Sequence, residues 1–360
     1  MKTYEAANYI TTSAFITTLL TNSLLIFLTI FHIKLICGTY KWMIVIFAFI
    51  GILFSFTEAI VRPCVHNFNG GLIFFSLNLY LPKWLLSIGV ACYAGFFSSL
   101  LSFVTMQFIF RCWTLIGSKL VKWFRGWKII FWVFFVTFPC SLFAALVVFL
   151  LQPDEYADGY MEAEVLKIYE LRVAELPRFI VIPLGSSYGD LDFEIRWKNL
   201  ICVLIICTAL TFNLMIIIFC ALRMRSEMHI RLRAMSKKNR RLETQFFKAL
   251  VAQSAFPTLL LVLPTGPVLL LPFFNLKISL QSGFLISIFS LYPPLDSIAM
   301  MVIITEYKTR VKRVLTQVKR LCGVQVPDNN LDSGFSDSDV GNGGSFQLST
   351  IEMDRRVSTC

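Results

Sequence analysis

The residues that could do chemistry in this chain are few and widely separated. Its three histidines, His32, His66 and His229, each lie near the end of an apolar stretch or between two such stretches. The apolar stretches themselves contain only two carboxylates, Glu58 and Asp296. A metal-dependent hydrolase inside a membrane needs about three such ligands in one place. The sequence therefore predicts no metal site, no catalytic residues and no cofactor.

The composition indicates a membrane protein, because 56% of the 360 residues are hydrophobic and only 15% are charged. A helix needs about 20 apolar residues to cross a hydrocarbon core of roughly 30 Å. We therefore expect an all-α membrane protein, a bundle of seven transmembrane helices. The seven apolar stretches are 9–35, 42–61, 84–110, 129–151, 200–222, 249–271 and 283–304.

Basic residues are unevenly distributed between the connecting segments. Counted with the N-terminus outside, 22 of them fall on the cytoplasmic side and nine on the other. The positive-inside rule therefore predicts an external N-terminus and a cytoplasmic C-terminus. The net charge of +11 is then explained by the orientation in the membrane and by attraction of the basic loops to anionic lipid of the inner leaflet. It does not indicate a nucleic-acid partner.

The segment after Glu306 predicts a short amphipathic helix in the inner membrane interface. Cys322 follows it directly, as a palmitoylation site would. Beyond it the composition becomes rich in Ser, Asp, Gly and Asn, which is typical of flexible chain. We expect one membrane domain over 1–322 and a flexible cytoplasmic tail over 323–360. The apolar residues of the amphipathic segment are Val311, Val314, Leu315, Val318 and Leu321.

The long connection 152–198 contains ten acidic residues and no cysteine. Within it, Met161, Val165, Ile168 and Leu171 recur at close to helical spacing. This pattern predicts a short amphipathic helix that covers the outer face of the bundle. A solvated connector helix without ligand contact fits the same pattern.

Asp296 is expected to face the interior of the bundle, since a carboxylate exposed to lipid costs several kcal/mol. Pro293 and Pro294 free backbone carbonyls just before it, and these also need partners. Asn22 in the first stretch and Ser or Thr side chains are the candidate partners of Asp296. The resulting polar node, Pro294 with Asp296, fits a buried cluster that holds helices together better than a direct ligand contact.

Two prolines of the sixth stretch, Pro257 and Pro264, lie two helical turns apart and bend it on one face. A secondary transporter would show a matching pair of broken helices in an earlier half of the chain, and none is present. The basic connection 223–248, with Arg240 and Arg241, fits either a lipid anchor or a docking surface for a cytoplasmic transducer.

Arg111 ends the third stretch at the cytoplasmic face. A lone arginine there fits a membrane anchor, a G-protein contact or a restraining ion pair, with Glu243 as the conceivable partner. Near the other end of the same stretch, Tyr93, Phe96 and Phe97 fit either plain core or the wall of an apolar ligand cleft.

Three stretches of the chain resemble one family. They are "GTYKWMIVIFAFIGILFSFTEAIVRPCVHNFNG" at 38–70, "YMEAEVLKIYEL" at 160–171, and the region 247–308 from "FKALVAQSAFPTLLLVLPTGPVLLLPFFNL" through "FSLYPPLDSIAMMVIITEYK". Together they resemble the nematode serpentine chemoreceptors of class r (Str/Srj-like), which have seven helices. The resemblance covers about residues 10–310.

The resemblance implies an odorant-type receptor of sensory neurons that binds a small molecule and acts through a heterotrimeric G protein. It places the protein in the plasma membrane, including that of the cilium. It carries over Arg111 as the helix-three arginine, and Lys308 stands where the family commonly has arginine. The alternative is a seven-helix ligand-gated channel subunit. A channel with the opposite orientation would have its N-terminus inside, against the distribution of basic residues.

Overall fold

A computed structural model describes residues 3–33, 38–186, 193–231, 237–274, 276, 278–281 and 283–321. Cys322 and the tail lie outside these residues. The helices in the described part are α1 Thr3–Phe27, α2 Gly38–Val61, α3 Lys83–Ile116, α4 Ile129–Leu150, α5 Glu155–Tyr169, α6 Trp197–Arg231, α7 Lys237–Pro257, α8 Leu263–Leu270, α9 Gly283–Ser290, α10 Tyr292–Ile303 and α11 Thr305–Leu321.

Seven helical spans in the described part are long and apolar enough to cross a membrane, and each overlaps one predicted stretch. The seven-helix prediction is therefore confirmed. The spans are Tyr9–His32, Gly38–Val61, Lys83–Ile116, Gly126–Leu150, Trp197–Glu227, Thr244–Phe273 and Gly283–Ile303.

Helix α3 is the central element of the bundle, and it packs along α2, α4 and α6. Its 34 residues extend over roughly 50 Å, which is longer than a hydrocarbon core is thick. The helix ends where Gly117 takes a left-handed conformation with φ 70°, which a residue without a side chain adopts at little cost. A single rigid helix thus connects the two ends of the bundle.

The sixth span departs from regular α-helix at the predicted prolines. α7 ends at Pro257, and the five residues Thr258–Val262 form a π-helix before α8 resumes. Proline has no N–H to donate and its ring clashes with the preceding turn, so the regular hydrogen-bond ladder is lost here. Pro264 and Pro267 follow in the short α8.

A β-sheet closes one end of the bundle, and the sequence analysis placed no strand there. Its strands are antiparallel in the order β3-β2-β1-β6, and the shorter pair β4-β5 lies beside it in the chain. Asn69 takes a left-handed φ of 47° between the first two strands. The strands are β1 Pro63–Phe68, β2 Gly71–Ser76, β3 Arg178–Val181, β4 Leu184–Ser186, β5 Phe193–Ile195 and β6 Ser279–Leu280.

Helix α5 lies over the face of the sheet that points away from the bundle. Its Met161 and Val165 are fully buried there, in one cluster with Ile73 and Phe75 of β2. The side chain of Asp154 caps the helix by accepting a hydrogen bond from the Ala157 N–H at 2.8 Å. The predicted amphipathic helix is present from Glu155 to Tyr169 and packs on the sheet. That this is the outer face of the bundle stays a prediction. We call this end of the molecule the sheet end.

The predicted amphipathic helix after the seventh span is α11. Among its described side chains, Tyr307 is buried and Val311 and Val314 are half-buried, whereas Lys308 and Lys312 are exposed. The Tyr307 hydroxyl shares a hydrogen bond of 2.7 Å with Thr29 Oγ1 of the first span. The predicted helix is present and its first turn packs against the bundle through Tyr307. Its place in the inner membrane interface stays a prediction.

Candidate functional site

An apolar cavity of about 140 Å³ lies between the sheet and the helices. Three strands form its roof and five helices form its wall, so residues that are distant in the sequence meet in it. The lining residues are Val65, Leu72, Phe74, Tyr93, Ala94, Phe97, Phe143, Val147, Leu151, Phe179, Val181, Ile206, Leu210, Thr265, Val268, Leu269, Leu285, Ile286 and Phe289.

Two of the three aromatic residues predicted for a ligand cleft line this cavity. Tyr93 and Phe97 are four residues apart on α3 and therefore share one face of the helix. Phe96 is half-buried and packs against the neighbouring core cluster, outside the lining. The Tyr93 ring stacks on Phe54 of α2 at a centroid distance of 4.9 Å, and Phe97 lies 6.1 Å from Phe289.

Among the described residues, the cavity wall contains very little polar surface and no charged side chain. The Thr265 hydroxyl donates its hydrogen bond to the Leu261 carbonyl of its own helix at 2.6 Å. The Tyr93 hydroxyl is buried and has no hydrogen-bond partner in the described part of the chain. An occupant would therefore be held by contact with apolar surface, with Tyr93 as the nearest unpaired polar group.

Glu58 lies beside this wall, on α2, and is 1% exposed. It accepts a short hydrogen bond from Ser290 Oγ of α9, while its second oxygen has no partner among the described residues. The sequence analysis noticed this carboxylate but gave it no function. The hydrogen bond joins the second and seventh spans next to the cavity.

The helix-seven polar node lies deeper in the bundle. Asp296 is 4% exposed and accepts a hydrogen bond of 3.3 Å from Gln253 Nε2 of α7. The predicted partner Asn22 belongs to the same cluster but does not bond to Asp296 directly. Instead its side-chain oxygen accepts a hydrogen bond from Ser297, the residue after Asp296. Asn22 Nδ2 in turn donates to the Ala48 carbonyl at 3.1 Å. The node thus connects α1, α2, α7 and α10, and Pro294 is buried beside it.

Arg111 lies at the opposite end of α3, between two aromatic rings. Its guanidinium carbon is 3.5 Å from the centroid of the Tyr40 ring on α2 and 4.3 Å from that of Phe246 on α7. We call these three residues the arginine clamp, and this end of the molecule the arginine end. The side chain of Glu243, the conceivable ion-pair partner, lies outside the described residues. The sequence analysis missed both aromatic partners.

The other basic residues predicted for G-protein coupling are at this same end. Arg240 and Arg241 are exposed on α7, six and five residues before Phe246. Lys308 is exposed on α11, three residues after Thr305, whose hydroxyl accepts a hydrogen bond of 2.7 Å from Gln245 of α7. Arg111, Arg240, Arg241 and Lys308 therefore lie at the same end of the molecule, where α7 contacts both α3 and α11.

His66 of β1 is buried at the sheet end, and neither of its ring nitrogens has a hydrogen-bond partner in the described part of the chain. Its ring meets that of Tyr169 edge-on at 5.8 Å. Burial lowers the pKa of His66, while the Glu164 carboxylate acts in the opposite direction. Burial also raises the pKa of the neighbouring Cys64 thiol to about 12, so that thiol stays protonated.

Residues 7–312 match the family described as "Serpentine type 7TM GPCR chemoreceptor Str". The chain is 41% identical over 298 residues to "G-protein coupled receptor str-33" of Caenorhabditis elegans, a match that covers 82% of this chain and 86% of that protein. It is 24% identical over 275 residues to "Serpentine receptor class r-10" of the same species, over 76% and 80% of the two chains. These matches confirm the resemblance carried by the three quoted stretches, and they favour the receptor over the channel alternative.

Proposed function

We propose a mechanism for this chain, which belongs to the Str family of serpentine seven-transmembrane chemoreceptors. The chain is therefore a multi-pass membrane protein of the G-protein-coupled receptor type. A small molecule binds in the cavity beneath the sheet, and a heterotrimeric G protein is activated at the arginine end. The sheet end faces the outside of the plasma membrane, including the ciliary membrane of a sensory neuron. The N-terminus is on the same side.

The observation that carries this proposal is that two helical spans connect the cavity with the arginine clamp. On α3, Phe97 lines the cavity and Arg111 lies 14 residues further along, a rise of about 21 Å. On the sixth span, Val268 and Leu269 line the cavity and Phe246 contacts Arg111. A ligand that moves these two spans relative to each other changes the clamp directly.

The irregular part of the sixth span lies between its cavity residues and its clamp residue. The π-helix Thr258–Val262 and the prolines on either side of it weaken the hydrogen-bond ladder there. Contacts of the ligand with α8 can therefore change the direction of α7 and draw Phe246 away from Arg111. A partly exposed cation–π contact contributes about 0.5–2 kcal/mol, so a modest difference in ligand affinity between two arrangements shifts the population.

The proposal is tested by a ligand screen in cells with a cyclic-nucleotide or calcium readout. Arg111→Ala is expected to abolish the response to an identified ligand at unchanged surface expression. Lys167→Ala removes an exposed cation at the sheet end and is the matched control, expected to respond like the wild type. A full response of Arg111→Ala would contradict the coupling role. An N-terminal tag that is accessible to antibody on intact cells tests the orientation.

A further inference from the structure

The roof of the cavity separates it from water by two packed layers. The first layer is the sheet, in which β1, β2 and β3 form continuous antiparallel ladders. The second is α5, and the side chains between the two layers, including Ile73, Met161 and Val165, are fully buried. A ligand that entered from this side would have to separate both layers.

The wall between the fifth and sixth spans is much thinner. α6 packs along α3 and α4, but its described residues make only marginal contact with α7 and α8. Nevertheless Ile206 of α6 and Leu269 of α8 line the same cavity, and both are only half-buried. A Cβ atom placed on Gly266 of α8 would meet no other atom within 4 Å. The two helices are thus neighbours around the cavity without a packed seam between them.

Both helices carry large apolar side chains on their outer surfaces. Leu204 of α6 is 55% exposed, and Leu263 at the start of α8 is 65% exposed. Large apolar side chains exposed on membrane-spanning helices contact hydrocarbon. The outer surfaces of α6 and α8, and with them the gap between the two helices, therefore border hydrocarbon.

The size and chemistry of the cavity restrict what it can hold. An apolar protein cavity of about 150 Å³ lined by Leu, Ile and Phe stays dry and binds benzene, and this cavity measures about 140 Å³. Burying a charged group without a partner costs several kcal/mol or more. Because the described lining has no charged side chain and does not include the nearby Glu58, a charged ligand would lose its hydration without compensation.

We propose that the ligand is an uncharged, apolar molecule of about the size of benzene, and that it enters the cavity from the lipid, between α6 and α8. This rests on the proposed function, since it takes the cavity beneath the sheet as the ligand site. The membrane then concentrates the ligand before it binds. The association rate follows the concentration of the ligand in lipid, and the sheet stays closed during exchange.

Ligand class is tested with fluorobenzene and ¹⁹F NMR on the purified receptor in lipid nanodiscs. Saturable binding is expected for fluorobenzene and none for 4-fluorobenzoate. Val268→Phe fills the cavity and should remove the binding, whereas Leu222→Phe changes an exposed residue of α6 far from the cavity and should retain it. The absence of saturable fluorobenzene binding, or equal binding of 4-fluorobenzoate, overturns the ligand class.

The route by which the ligand enters is tested with a disulfide bond that joins two strands of the sheet above the cavity. Ile73 and Ile180 lie directly opposite each other on β2 and β3, at a spacing of about 4.5–5.5 Å that suits a disulfide bond. Ile73→Cys with Ile180→Cys, in a Cys64→Ser background, allows the same sample to be compared oxidised and reduced. Exchange of fluorobenzene is expected to differ by less than twofold between the two forms. A tenfold slowing on oxidation that a reductant reverses would show entry through the sheet.

A second measurement supports or opposes lipid entry independently. At one aqueous concentration, the association rate should rise from fluorobenzene to 4-fluorotoluene in proportion to their partition into the bilayer. Equal rates would oppose the route. These measurements need no G protein, so a receptor that binds fluorobenzene but gives no signal contradicts the proposed coupling and leaves the ligand site intact.

Discussion

The guanidinium carbon of Arg111 lies 3.5 Å from the centroid of the Tyr40 ring. A cation held by the face of an aromatic ring needs no acidic partner, so the contact does not depend on the protonation of a carboxylate. Phe246 contacts the same guanidinium from α7, and its ring meets that of Tyr40 edge-on at 5.9 Å. The second, third and sixth spans are therefore connected at the arginine end by one cluster of contacts around Arg111.

Removing an aromatic ring from the clamp should raise the ligand-independent activity. For Tyr40→Leu, the loss of about 0.5–2 kcal/mol corresponds to a shift of roughly 2- to 30-fold in the equilibrium that releases Arg111. The measurement is agonist-free nucleotide exchange on a G protein, normalised to receptor amount. Tyr40→Phe keeps the ring and should behave like the wild type. Equal basal activity in Tyr40→Leu and the wild type would contradict the restraint.

The hydrogen bond between Gln253 and Asp296 should contribute to stability more than an exposed one does. Gln253→Ala leaves the buried Asp296 without the one donor described for it, and a buried polar group that loses its partner costs about 1–3 kcal/mol. The midpoint of thermal unfolding in nanodiscs should fall. Gln245→Ala removes two exposed hydrogen bonds between the same helix and Thr305 and should cost less than Gln253→Ala, because water can replace exposed partners. Similar losses in the two variants would contradict the prediction.

The close packing of α3 on α4 depends on a glycine. A Cβ on Gly95 would lie 2.6 Å from the Cys140 carbonyl oxygen, which is backbone and cannot move aside. Gly95→Ala should therefore destabilise the bundle by about 1–3 kcal/mol through overpacking. Gly159 of α5 is exposed and would meet no atom within 4 Å, so Gly159→Ala should stabilise by about 0.5–1 kcal/mol. The midpoint of thermal unfolding tests both predictions, since it should fall for Gly95→Ala and rise for Gly159→Ala.

The membrane spans and the burial of Asp296 could be predicted from the sequence because each depends only on the residues of one continuous segment. The number of consecutive apolar residues decides whether a helix can cross the bilayer. A lone carboxylate in such a helix must face inward whatever its neighbours are. A departure from regular helix near Pro257 was indicated in the same way, by a residue that cannot donate a backbone hydrogen bond. That it takes the form of a π-helix was not predicted.

The partners of these residues could not be predicted, because they depend on which helix faces meet. Nothing in the spacing of Tyr40, Phe246 or Gln253 distinguishes them from plain core residues. The sheet is an intermediate case. Asn69-Gly70 between two apolar runs is a strong hairpin signal. The sequence analysis did not use it, because the two runs lie in a short connection between membrane spans. The pairing of β2 with β3, about 100 residues further along the chain, has no local signal at all.

Acidification should loosen the cap formed by the sheet and α5. Burial lowers the pKa of His66 below its ordinary 6.5, so the ring is neutral in the closed cap and protonates more readily when the cap opens. The contribution of neutral His66 to the stability of the cap is therefore fully present above pH 6.5. It is lost as the pH falls from there through the lowered pKa. Hydrogen exchange of β1 and α5, corrected for intrinsic rates, should be faster at pH 5.5 than at pH 7.5.

The groups that face His66 define the controls for this dependence. They are Glu164 and Tyr169 of α5 and Cys64 of its own strand. His66→Leu should remove the acid-induced exchange, because no ring remains to be protonated. Glu164→Gln should enhance it, because Glu164 is the carboxylate that raises the pKa of His66. If His66→Leu kept the acid dependence of the wild type, the charge that opens the cap would belong to another residue.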